Sequence, residues 1–171
     1  MSEEPRGRSR VATIGWLTFG LGAADVLRLV AEMVSVGFAA KEFYYLTVLI
    51  DLVLGGLGVV FGFRLTRDGR PTWAASVVLW GAWVGNSVVF FSSILYWVLD
   101  HYVSQRLSGD LQVLGPRLLF YVLTLVLSPW VLWSLLTQDE PGRPPRSRLW
   151  RRLFAGFTTG FLVGIAILSR R

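Results

Sequence analysis

The chain has 171 residues, with 17 Lys and Arg against 11 Asp and Glu for a formal net charge of +6. Hydrophobic residues make up 53 % and charged residues 16 %, against roughly 25 % charge in an average soluble domain, and the mean hydropathy is +0.53. The apolar residues fall in blocks of about 20, the length that crosses a hydrocarbon core, which excludes disordered, disulfide-stapled and ordinary soluble classes.

The first apolar segment, 12–31, follows a basic tail (residues 1–11) carrying Arg6, Arg8 and Arg10. Inside lipid every backbone polar group needs an internal partner, so a helix is expected. Asp25 and Arg28 stand at i, i+3 and Glu32 four residues further on, which places all three near one face. A basic start, an apolar run from Val11 and Gly22-Ala23-Ala24 before Asp25 also fit a cleavable signal peptide. The apolar pattern resumes at Val26, Leu27, Leu29 and Val30, which favours an uncleaved span.

The second segment, 43–63, contains Asp51 and the pair Gly58 and Gly62. The third, 73–99, carries Gly81 and Gly85 together with Trp80, Trp83, Asn86, Ser87, Ser92 and Ser93. Its tryptophans suit bulky packing, or stacking on a pigment, quinone or lipid; Asn86 is expected to face other helices. A polar external connection, 100–113, follows, in which Val103, Leu107 and Leu111 share one helical face and can lie on the membrane surface. His101, at its start, reads as a solvated interfacial side chain more readily than as a metal or pigment ligand.

The fourth segment, 114–136, holds Pro129 beside Ser128 and is expected to kink there. A Pro/Gly/Arg loop over 139–147 leads to the fifth, 149–168. Arg151 and Arg152 shorten the uncharged part of that segment to 153–168, about 24 Å of helix, so it crosses a thinned bilayer or leaves the chain with four spans. Gly156, Gly160 and Gly164 line one of its faces.

Loop charge orients the bundle. The N-terminal tail, the second connection (Arg64, Arg67, Arg70) and the fourth (Arg143, Arg146, Arg148, Arg151, Arg152) carry eleven basic residues; the other side has Lys41, Arg106, Arg117, Arg170 and Arg171. This predicts a cytoplasmic N-terminus. Trp and Tyr prefer interfaces, and Tyr44, Tyr45, Tyr96, Tyr102 and Tyr121 fall toward the outer ends. Trp16, Trp73, Trp130, Trp133 and Trp150 fall toward the inner ends, with Trp97 outside. The basic clusters are better explained by topology and anionic lipid than by nucleic acid. Sixteen arginines to one lysine reads as bacterial codon bias, and a bacterial inner membrane is expected.

Ionisable residues within spans are costly and point to function by default. Asp25 lies about 20 Å and Asp51 about 18 Å from the inner edge, and a short connection makes the first two segments antiparallel neighbours. Arg28 shared between Asp25 and Asp51 is expected to act as a structural clamp, with Glu32 and Arg28 reaching toward the outer headgroups. The competing reading is a proton, cation or substrate relay. The glycine faces let backbones approach closely, either within this chain or against a helix of another protein.

The inventory closes several chemistries. With no Cys and a single His, a thiolate nucleophile, a zinc–thiolate site, an iron–sulfur cluster and paired-histidine haem ligation are all excluded within one chain. No phosphate-binding glycine loop, HExxH or GxSxG occurs, and no cofactor is identified. Glu32, Asp100 and Asp110 are outer-side acids that could serve lipid chemistry, and their spacing matches no catalytic pattern. The chain is therefore expected to be an all-α, multi-pass bundle and a non-catalytic structural or accessory subunit. Its partners would be the lipid bilayer and either other membrane subunits or copies of itself. A small transporter or channel using Asp25, Arg28 and Asp51 is the alternative.

Overall fold

The computed structural model describes residues 5–36, 42–67, 72–103, 111–137 and 144–169, with side chains described for 10–31, 33–34, 48–67, 72–96, 99–100, 117–137 and 144–169. These residues form five helices: α1 (Pro5–Val36), α2 (Glu42–Arg67), α3 (Trp73–Val103), α4 (Leu111–Thr137) and α5 (Arg146–Leu168). All five are long and apolar enough to cross a membrane. Each expected segment coincides with one helix, and each helix extends beyond it. The basic stretch taken as a tail is largely helical, because α1 starts at Pro5, where proline's fixed φ suits a first helical position. The cause is general: hydropathy marks where the chain leaves hydrocarbon, whereas i→i−4 bonding continues into the headgroup layer. The surface helix expected around Leu107 falls in 104–110, outside the described residues.

The helices do not pack simply in sequence order. α1 lies against α2, and α3 lies against α5, with α4 on α3. The span within α3 is the most enclosed, 67 % buried, against 22 % for α5. That fits its composition, since polar Ser76, Asn86 and Ser87, which lipid would penalise, are all buried against other helices. Two indole N–H groups tie it to its neighbours. Trp80 Nε1 donates to Thr18 Oγ1 on α1 at 3.0 Å, and Trp73 Nε1 donates to the Leu135 carbonyl on α4 at 2.9 Å. Thr18 itself donates back to the Ile14 carbonyl at 2.7 Å, so its hydroxyl is used both ways. Phe90 of α3 stacks on Tyr121 of α4 with ring centroids 5.7 Å apart.

Helix α4 runs continuously through Pro129. Proline removes the N–H that would bond to the Leu125 carbonyl four residues back. The Ser128 hydroxyl donates to that same carbonyl at 3.1 Å, a repair that membrane helices use for freed backbone groups.

Candidate functional site

The polar cluster is built by two helices and covered by a third. Asp25 and Arg28 sit one turn apart on α1, and Arg28 Nε and Nη2 donate to Asp25 Oδ1 at 3.2 and 2.8 Å. The same Nη2 donates to Asp51 Oδ2 of α2 at 2.8 Å. The guanidinium carbon stands 5.6 Å from the centre of the Phe120 ring of α4, within cation–π range. Asp25, Asp51 and Arg28 are 1 %, 2 % and 8 % exposed. Three formal charges therefore occupy an almost dry site. Arg28 is the bridge: its planar fork serves two carboxylates at once, which a lysine cannot reproduce.

The structure thus brings together Asp25, Arg28 and Asp51, and the depth argument from the sequence placed them at one level. The backbone of Glu32 lies on α1, but its side chain falls outside the described residues, as do those of Lys41 and His101. Among the described residues no group of three His, Asp or Glu side chains could hold a metal ion.

The glycines fall into two close seams. In the first, α1 meets α2: a Cβ on Gly22 would stand 2.6 Å from the Gly55 carbonyl oxygen, and one on Gly62 would run into the Phe19 backbone. A Cβ on Gly58 would stand 2.6 Å from the Trp83 ring, so this glycine makes room for the indole. In the second seam α3 meets α5. Gly81 faces the Leu153 backbone and Gly85 the Phe157 carbonyl. Across from them, Gly156 faces the Val78 carbonyl, Gly160 the Ala82 carbonyl and Gly164 the Val89 side chain. The face of Gly156, Gly160 and Gly164 is therefore filled by this chain's own α3 and is not open to a helix of another protein. One helix sequence shows that a face is small, not what fills it.

Trp80 and Trp83 pack edge to face on each other at 5.3 Å, both buried, which is the packing alternative rather than an open platform for a flat ligand. Tyr121, read from the sequence as an interfacial aromatic, is instead buried beside the cluster. Its ring is 1 % exposed, and its hydroxyl has no hydrogen-bond partner among the described residues, as is also true of Asn86 Oδ1 and Trp83 Nε1. Tyr121 also lies within electrostatic reach of Asp51, Arg28 and Asp25. Its chain neighbour Phe120 stands beside the same guanidinium.

An apolar opening lies elsewhere. α4 and α5 touch at few points, and the gap between them over α3 is a groove of about 230 Å³ lined by Val84, Leu132, Trp150, Leu153, Phe154 and Phe157.

Comparison with protein-family models, curated proteins and solved structures finds no match to this chain.

Proposed function

We propose that this protein is a non-catalytic integral membrane protein of a bacterial inner membrane, N-terminus in the cytoplasm, serving as a structural or accessory subunit beside other membrane chains or copies of itself. The observation that supports this reading best is the state of its intramembrane charges. Arg28 bonds to both Asp25 and Asp51 at 2.8 Å, in a buried position that joins α1 to α2. Such an arrangement holds helices together, because a buried ion pair is costly to break even where it adds little net stability. The surface left for partners is apolar and broad: Leu119, Val126, Trp130 and Trp133 on α4 and Phe154, Leu162 and Ile165 on α5 are all exposed. Chemical cross-linking in native membranes is expected to trap α4 or α5 in dimers or larger assemblies. Exclusive recovery of monomer from such membranes would oppose the proposal.

One observation bears on the transporter reading instead. The buried hydroxyl of Tyr121 has no hydrogen-bond partner among the described residues and lies within electrostatic reach of Asp51, Arg28 and Asp25, so a polar group stands beside the cluster with hydrogen-bonding capacity to spare. On that reading Asp51→Asn abolishes a proton or solute flux in proteoliposomes while the protein stays inserted and folded. On the structural reading the same variant loses stability, and wild-type vesicles show no flux to abolish.

A further inference from the structure

We propose that the bundle binds water in its interior, beside the Asp25, Arg28 and Asp51 cluster, on the polar atoms of Trp83, Asn86 and Tyr121. Trp83 Nε1, Asn86 Oδ1 and the Tyr121 hydroxyl are all buried, and none has a hydrogen-bond partner among the described residues. None of the three side chains is more than 3 % exposed. A polar group left in that state bears its full desolvation cost. Together they supply an indole donor, an amide acceptor and a hydroxyl that can do both. A buried water makes about three hydrogen bonds to otherwise unsatisfied groups, and this mixture of donors and acceptors suits it. An apolar occupant would satisfy none of the three.

Packing brings the three groups toward one level. Trp83, Asn86 and Phe90 fall at i, i+3 and i+7 and share a face of α3, and Phe90 stacks on Tyr121 of α4 with ring centroids 5.7 Å apart. The far edge of the Trp83 ring meets the α1–α2 seam, where a Cβ on Gly58 would stand 2.6 Å from it and 3.0 Å from the Gly22 Cα. Thr18 of α1 accepts from Trp80 of α3, so from Thr18 to Gly22 and from Trp80 to Trp83 the two helices advance together. The next turn, about 5 Å on, brings Asp25 on α1 and Asn86 on α3 alongside. Tyr121 closes the group from α4: it lies within electrostatic reach of Asp51, Arg28 and Asp25, and its chain neighbour Phe120 covers the Arg28 guanidinium. Other buried hydroxyls close by are already used, since Thr18 donates to the Ile14 carbonyl and Thr124 to the Phe120 carbonyl. The water belongs to the fold on either the accessory or the transport reading.

The test uses the full chain in phospholipid bilayers, with isotope-labelled tryptophan, and follows magnetisation passed from water to the indole N–H groups by solid-state NMR. Single Trp→Phe variants assign the eight indole signals. At short mixing times Trp83 is expected to receive magnetisation from water. Trp80 is the internal reference: it is 0 % exposed and packs on Trp83, but its N–H is taken by Thr18 Oγ1, so it should receive none. Asn86→Leu and Tyr121→Phe each remove a partner of the water and should abolish or sharply weaken the Trp83 signal. Thr124→Val, which deletes a hydroxyl bonded to its own helix, should leave it unchanged. Melting in detergent gives a second reading. Were the site dry, Tyr121→Phe would relieve an unpaired buried hydroxyl and raise the melting temperature; with water bound there it should not. A wild-type Trp83 as silent as Trp80, an equal water signal at both, or a higher melting temperature for Tyr121→Phe would each overturn the proposal.

Discussion

Removing Arg28 is the sharpest perturbation of the polar cluster. In Arg28→Met the side chain keeps much of its length but leaves Asp25 and Asp51 buried without their shared cation. Both carboxylates accept from the same nitrogen at 2.8 Å, so their oxygens lie no further apart than about twice that distance. At an effective dielectric constant of about 20, their mutual repulsion is then roughly 3 kcal/mol. Breaking a buried pair by deleting one partner costs about 3–5 kcal/mol, of which that repulsion is a large part. The variant should relieve the strain by taking up a proton, so the loss lies at the lower end of that range at neutral pH. At roughly 2–4 °C per kcal/mol for a chain of this size, the melting temperature should fall by about 6–12 °C. The triple variant Asp25→Asn, Arg28→Met, Asp51→Asn removes all three charges, and replacing a whole buried ion cluster is often close to neutral. It should therefore recover most of the loss. Melting in detergent, followed by circular dichroism at 222 nm with size-exclusion chromatography of the same samples, measures both. A single variant as stable as wild type, or a triple variant as unstable as the single one, would refute the clamp.

The glycine seams predict a sharp contrast. Gly160→Leu must push α5 from α3, because its Cβ alone meets the Ala82 carbonyl; a loss of about 3 kcal/mol or more is expected, visible as a lower melting temperature. Gly20→Ala and Gly56→Ala, where a Cβ meets nothing within 4 Å, should instead be neutral or stabilising by up to about 1 kcal/mol. Trp80→Phe removes the bond to Thr18 Oγ1, and a double-mutant cycle with Thr18→Val should give a coupling of about 0.6 kcal/mol, the average for hydrogen bonds between membrane helices; zero coupling would mean that the indole contributes by packing alone. Ser128→Ala should leave the Leu125 carbonyl unpaired beside Pro129 and cost about 1 kcal/mol, whereas the Ser128→Ala, Pro129→Ala double variant, which restores the backbone donor, should recover it.

The helices were legible from the sequence because each apolar block is long and bounded by arginine or a Pro/Gly turn. Their true ends were not, since headgroups tolerate helix as well as hydrocarbon does. The meeting of Asp25, Arg28 and Asp51 was legible through depth: the three can be levelled by counting residues from the charged edge, and the short connection between their helices makes them neighbours. Pairing between distant helices left no such count. Nothing in Gly156, Gly160 and Gly164 says that α3 fills their face, and nothing in Trp80 names Thr18, 62 residues earlier, as its acceptor. Tyr121 was hidden for the same reason. It reads as one more interfacial aromatic until packing turns its ring onto Phe90.

The central claim is that five helices cross lipid with their arginine-rich ends on the cytoplasmic side, and cysteine accessibility tests it most directly. The chain has no cysteine, so single substitutions report without background. Arg67→Cys and Ser147→Cys should react with a membrane-impermeant maleimide only after the cells are permeabilised, while Asp100→Cys should react in intact cells. Labelling of Arg67→Cys or Ser147→Cys from outside intact cells would contradict the account.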